Sequence, residues 1–145
     1  MIVRKSEALW DGNIKKGKGT MKVGGGSISG NYSFGSRFEH GSGTNPEELI
    51  GAAHAGCFNM ALTMVLEQSG YNVDHIHTIA KVSIDKVGEG YKITHIELDT
   101  EGRVPGCDEK TFMEKAELAK KNCPVSMALT GVGIDLRSRL MKAAA

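Results

Sequence analysis

The residues of this 145-residue chain with the widest chemical range are its three cysteines, Cys57, Cys107 and Cys123. An ordinary thiol is only about 3% ionised at neutral pH, and lowering its pKa by two units takes about 2.7 kcal/mol of preferential stabilisation of the anion. Each cysteine is therefore judged by what could supply that stabilisation. Cys107 follows Pro105-Gly106 in a loop-like stretch with no identifiable electropositive surroundings and reads as incidental. Cys123 stands immediately before Pro124. If Pro124 opens a helix, Cys123 takes the N-cap, where backbone N–H groups and the helix dipole favour a thiolate. Cys57 lies inside an apolar run and reads two ways: as a small hydrophobe in the core, the usual place of a free cysteine, or as a nucleophile served by a cation from elsewhere in the fold. Arginine suits that task, because it keeps its charge and its planar fork can hold a carboxylate and a thiolate together. The candidates are Arg4, Arg37, Arg103, Arg137 and Arg139. For the orienting carboxylate, a helical turn of about 100° per residue puts Glu47 about 80° and Glu48 about 180° from Cys57 around a shared axis, which favours Glu47.

His54, one turn before Cys57, could act as a general base, as a metal ligand with Cys57 and Cys123, or as a buried histidine satisfied by a hydrogen bond. The last is the commonest fate of such a residue. His75-x-His77 would place two rings on one face of a strand, without a third ligand at recognisable spacing. Phe58, Met60 and Met64 read as core residues that could also line a pocket for an apolar substrate. Gly24-Gly25-Gly26 lacks the spacing and the lysine of a phosphate loop, and the chain has no Gly-x-Ser-x-Gly elbow and no Cys-x-x-Cys pair.

The element that must carry Cys57 begins at Thr44-Asn45-Pro46-Glu47-Glu48. There a capping residue precedes a proline suited to the first helical position and two carboxylates suited to the positive end of the dipole. The predicted helix runs to about Ser69-Gly70 and is apolar on almost every side, the mark of a buried helix. Its segment from Leu49 to Leu66 is about the minimum length for crossing a bilayer. His54, Asn59, Thr63 and two glycines interrupt it and no basic flank anchors it, so a membrane span is not expected. Upstream, Asp11-Gly12-Asn13 and Gly24-Gly25-Gly26-Ser27 break a β-rich stretch into three or four short strands, with Ser36-Arg37-Phe38 in the last of these. Downstream, Ala80, Val82 and Ile84 alternate with polar residues, and Gly88-Glu89-Gly90 turns the chain into Tyr91, Ile93, Ile96 and Leu98. This predicts a long hairpin with a bulge near Thr94-His95, where the apolar phase slips. A helix from about Glu109 to Asn122, a shorter one after Pro124, and a strand through Val132, Ile134 and Leu136 complete the chain.

Strands grouped by hairpins rather than alternating with helices give an α+β class, expected as a single domain over residues 1–145. One small sheet covers about one side of a buried helix, so a second subunit is expected to cover the rest in an intimate homodimer. With 18 Lys+Arg against 17 Asp+Glu the net charge is +1, no footprint for a row of phosphates, and nucleic acid is not an expected partner. Three widely spaced cysteines do not make a secreted disulfide framework, and the N-terminus shows no basic stretch followed by an apolar run. The expected compartment is the reducing cytoplasm.

The run Thr44-Asn45-Pro46-Glu47-Glu48-Leu49-Ile50-Gly51-Ala52-Ala53-His54-Ala55-Gly56-Cys57-Phe58, followed by Met60-Ala61-Leu62 and later by Asn122-Cys123-Pro124-Val125-Ser126, resembles the osmotically inducible protein C and organic hydroperoxide resistance (OsmC/Ohr) family. The resemblance extends to Trp10-Asp11-Gly12, Gly17-x-Gly19-Thr20 and Ser83-Ile84-Asp85-Lys86-Val87 and is closer to the OsmC branch. It implies an OsmC-like fold, with antiparallel sheets packed around a buried central helix in an intertwined homodimer. It also implies a thiol-dependent peroxidase that reduces organic hydroperoxides at the subunit interface. By position, Cys57 matches the peroxidatic cysteine and Cys123 the resolving one, with a Cys57–Cys123 disulfide forming in turnover. Arg37 and Glu47 match the residues that activate and orient the thiolate. The family needs no metal, haem or flavin but does need an external dithiol reductant, dihydrolipoyl groups being one such. Gly56 and Asn59 depart from the alanine and serine common there, and Cys107 has no counterpart. Two other classes stand beside this reading: a cysteine hydrolase using His54 and Cys57, and a non-catalytic metal- or ligand-binding protein using His54, Cys57 and Cys123.

Overall fold

The computed structural model describes residues 1–142. The chain divides into two compact units, Met1–Leu49 and Ile50 onward, with one helix running through the division. In the first unit, β1 (Ser6–Asp11), β2 (Lys18–Val23) and β3 (Ile28–Tyr32) form an antiparallel meander in that order. Gly19 of β2 lies beneath the Trp10 and Tyr32 rings, where a Cβ would stand 2.3 Å from the tyrosine and 2.8 Å from the tryptophan. Its bare backbone lets the two rings meet at 5.4 Å between centroids.

The segment read as a fourth strand is instead a short helix, α1 (Phe34–Phe38). The cause is local. Ser33 Oγ accepts from the Ser36 N–H while Ser36 Oγ accepts from the Ser33 N–H, a reciprocal cap that overrides the β-forming aromatics. Ser36 Oγ donates in turn to the Thr44 carbonyl at 2.7 Å, and Asn45 Nδ2 donates to the Ser36 carbonyl at 3.1 Å. These bonds fix α1, and Arg37 on it, to the start of α2 (Pro46–Gln68). As the sequence indicated, Asn45 caps α2, its Oδ1 accepting the Glu48 N–H at 2.9 Å.

In the second unit β4 (His75–Val87) and β5 (Gly90–Arg103) make the long hairpin. Ser83 faces His95 and Ile84 faces Ile93, so Thr94 is the extra residue of the bulge. The third strand, β6 (Gly133–Leu140), lies parallel to β5, so this sheet is not purely antiparallel. A parallel neighbour needs a long crossover, and α3 (Glu109–Asn122) with α4 (Pro124–Ala128) provides it. Phe58, Leu62 and Leu66 of α2, Ile96 and Leu98 of β5, Phe112, Ala116 and Ala119 of α3, and Cys123 form the core.

Within the chain α2 buries one stripe, His54, Phe58, Leu62 and Leu66, at a spacing of four residues. On its opposite side Ala52, Ala53 and Gly56 are exposed, Met60 is 75% exposed and Met64 59%. The helix is apolar all round and long enough to cross a bilayer by length and hydropathy. The β4–β5–β6 sheet and the α3–α4 segment together cover one face and leave the other bare.

Candidate active site

Cys57 sits in the middle of α2, and Cys123 is the junction residue that ends α3 and opens α4. Pro124 offers no N–H to continue the preceding helix, so the chain bends at the cysteine. Across 66 residues of sequence the two sulfurs lie 2.9 Å apart, Cys123 Sγ donating to Cys57 Sγ. Both are free thiols. A disulfide bond is about 2.05 Å long, so a sulfur displacement of roughly 1 Å joins them. Cys123 is fully buried and Cys57 half-buried.

The N-cap expected for Cys123 is present, but its side chain makes no capping bond. The first turn of α4 serves the neighbouring sulfur instead: the backbone N–H of Val125 donates to Cys57. Even so the Cys57 thiol is pushed above its ordinary value, by burial first and then by the hydrogen bond from Cys123, with the Val125 N–H pulling the other way. None of these groups is a cation.

A second link joins the same two helices one turn away. His54 is fully buried, and its Nε2 lies 2.7 Å from Ser126 Oγ. Burial pushes the imidazole pKa down, which favours the neutral ring. The reading of His54 as a buried, hydrogen-bonded histidine matches this position. The bond goes to Ser126 and not to Cys57, so the geometry does not favour the Cys–His pair of a hydrolase. Among the described residues no three His, Cys, Asp or Glu side chains gather to hold a metal ion.

The charged pair lies in the first unit. Arg37 forks onto Glu47, with Nη2 2.8 Å from Oε1 and Nε 3.2 and 3.3 Å from the two carboxylate oxygens. Glu47 is buried, whereas the Arg37 side chain is 38% exposed and free to meet a further anion. Glu48 is occupied differently, accepting from Thr44 Oγ1 at 2.9 Å. Beside Arg37 lies a recess of about 230 Å³ walled by Trp10, Ile14, Tyr32, Phe34 and Phe38. Sequence reasoning missed it, because its aromatic residues come from separate elements and share no period along any one of them. Of the three residues proposed to contact substrate, Phe58 is buried in the core, while Met60 and Met64 line an open concavity of about 480 Å³ on the bare side of α2. Cys107 is half-buried in its loop, its thiol raised by burial and by the Asp108 charge. Of the other arginines, Arg139 is engaged by Asp99 and Glu101.

Residues 39–137 match the family model described as OsmC-like protein. Over 129 residues, 88% of this chain and 90% of the relative, the sequence is 50% identical to Peroxiredoxin OsmC of Escherichia coli. Over 92 residues, 63% of each chain, it is 33% identical to the organic hydroperoxide resistance protein of Xanthomonas axonopodis pv. citri. Among solved structures, the organic hydroperoxide resistance protein OhrB of Bacillus subtilis superposes with a TM-score of 0.73 at 24% identity, covering 93% of this chain and 98% of that one. An OsmC-like protein from Mycoplasma pneumoniae gives 0.74 at 14% identity, covering 97% and 99%. The family match spans both the Glu47-to-Cys57 helix and the Cys123-Pro124 turn that bring the thiols together, and the chain belongs to the OsmC family.

Proposed function

We propose that this protein is a cysteine-based peroxidase that reduces organic hydroperoxides to alcohols. The observation that carries the reading is the pair of free sulfurs 2.9 Å apart, one half-buried and one buried. The names of its relatives, a peroxiredoxin and organic hydroperoxide resistance proteins, support the same class. The Cys57 thiol gives up its proton to solvent and the thiolate attacks the distal peroxide oxygen; the O–O bond breaks, the departing alkoxide takes a proton from solvent and leaves as the alcohol, and Cys57 becomes a sulfenic acid. The Cys123 thiol then displaces water from that sulfenic acid to form the Cys57–Cys123 disulfide, and an external dithiol, dihydrolipoyl groups being one candidate, returns both to thiols. No resident cofactor takes part in these steps.

In this reading Arg37, oriented by Glu47, stabilises the thiolate and the charge developing on the leaving oxygen. The aromatic recess beside Arg37 and the methionines on the bare side of α2 offer apolar surface to the organic part of the substrate. The active form is a homodimer with its sites at the subunit interface. The exposed apolar face of α2 supports this. The two units work as one functional domain in the reducing cytoplasm, where free thiols persist; residues 143–145 of the expected 1–145 span lie outside the described residues.

Titration of free thiols after one equivalent of cumene hydroperoxide tests the reading. Two thiols per chain disappear and Cys107 stays free; Cys57→Ser abolishes the loss, and Cys123→Ser accumulates an oxidised Cys57 without a disulfide. Thiols that survive the hydroperoxide in the parent protein would overturn it.

A further inference from the structure

The sulfur pair and the His54–Ser126 pair both link α2 to α4 and its cap. His54 precedes Cys57 by three residues and Ser126 follows Cys123 by three, so the two pairs lie side by side: thiol on thiol, and imidazole on hydroxyl at 2.7 Å. His54 Nδ1 is buried with no partner. A dry, unpaired polar atom costs stability, and an apolar residue would avoid that cost at a position with no exposed surface. Histidine is a poor choice here for stability alone, and what it adds is the bond from Nε2. That bond is robust to tautomer, because a hydroxyl both donates and accepts.

The helix at the other end of the bond needs holding. α4 is five residues long and opens on Pro124. A helix that short has little stability of its own. Yet it carries Cys123 at its cap, the Val125 N–H that donates to Cys57, and Ser126, which is bonded to His54.

We propose that the His54–Ser126 hydrogen bond is a clasp that holds α4 against α2 and keeps the Cys123 sulfur within bonding reach of Cys57. His54 and Ser126 are then positioning residues for disulfide formation. The inference rests on the peroxidase reading for the physiological oxidant only. The same disulfide closes by exchange with oxidised dithiothreitol, in which the two thiols give up two electrons and two protons to the reagent disulfide and no peroxide is involved.

The test uses three variants of the full chain. In Ser126→Ala the equilibrium constant for closing the Cys57–Cys123 disulfide against oxidised dithiothreitol falls about five- to tenfold, the worth of one hydrogen bond. Ser126→Thr, which keeps the hydroxyl, restores it. In the double variant His54→Leu, Ser126→Ala both polar partners are gone, so the urea midpoint stays at or above that of the parent while closure remains as poor as in Ser126→Ala. A role in stability alone would instead move midpoint and closure together. With cumene hydroperoxide, sulfenic acid at Cys57 persists longer in Ser126→Ala and in the double variant than in Ser126→Thr or the parent, and dimedone traps more of it. A closure constant within about threefold of the parent in the double variant, or no rescue by threonine, overturns the clasp. A parent whose thiols ignore hydroperoxide but still close with dithiothreitol sinks the peroxidase reading and leaves the exchange comparison to decide the clasp.

Discussion

Replacing Arg37 by methionine tests the electrostatic half of the proposed site. In the chain by itself Cys57 is raised above its ordinary value by burial and by Cys123, and the Val125 N–H only partly offsets this. An active thiolate therefore needs a cation. In the proposed site, a full charge brought to about 4 Å from the sulfur is worth about 4 kcal/mol at an effective dielectric constant of about 20. The Arg37 side chain is 38% exposed, so solvent screens it and the figure must be reduced. A range of about 1.4–2.7 kcal/mol, or one to two pKa units, is reasonable for a guanidinium already fixed by Glu47. The sign is fixed by charge: a cation favours the anionic form and lowers the Cys57 pKa, so its removal raises the pKa. In Arg37→Met the inflection in Cys57 alkylation by iodoacetamide moves one to two units towards higher pH, and the rate with cumene hydroperoxide at neutral pH falls about 10- to 100-fold. The measurement is made with Cys107 and Cys123 both replaced by serine, so that a single thiol reports. Glu47→Gln leaves the charge but frees the guanidinium, and a smaller shift in the same direction follows. An Arg37→Met inflection within about 0.3 units of the parent would refute the assignment of Arg37 to the thiolate.

Two further outcomes follow from packing. Met60→Asp with Met64→Asp puts two charges on the bare face of α2, where the side chains are 75% and 59% exposed. The isolated chain tolerates them, so light scattering should report a folded monomer in place of a dimer, with peroxidase activity lost; an active monomer would remove the dimer from the mechanism. Gly102→Ala would place a Cβ 2.6 Å from Cε2 of the fully buried Phe112, and the urea midpoint should drop by the equivalent of about 1–3 kcal/mol. An unchanged midpoint would mean that the Phe112 ring can move aside.

The structure places Cys57 half-buried, beside the core and 2.9 Å from a second free sulfur, and the geometry of one helix explains why. α2 was legible almost to the residue, because Asn45-Pro46-Glu47-Glu48 supplies a cap, a first-turn proline and the right charges, all of them local signals. The bulge at Thr94 was legible from a one-residue phase slip for the same reason. Features that depend on distant partners were not. Ser36-Arg37-Phe38 reads as strand until Ser33 and Ser36 exchange hydrogen bonds, and nothing in α3 or β6 alone shows that β6 lies parallel to β5. The closeness of Cys57 to Cys123 came from family resemblance and not from spacing, since sequence separation does not encode distance. The His54–Ser126 bond, 72 residues long in sequence, was out of reach for the same reason. Uniform apolarity of α2 told that every face seeks cover but not what covers it. The structure divides that helix into a stripe buried against the sheet and the α3–α4 segment and a bare stripe around Met60 and Met64, with Cys57 between them and half-buried. A thiol on that boundary is held by the core on one side and open to a reactant on the other. A residue wholly inside could not meet a hydroperoxide, and one wholly outside could not be held 2.9 Å from a buried partner.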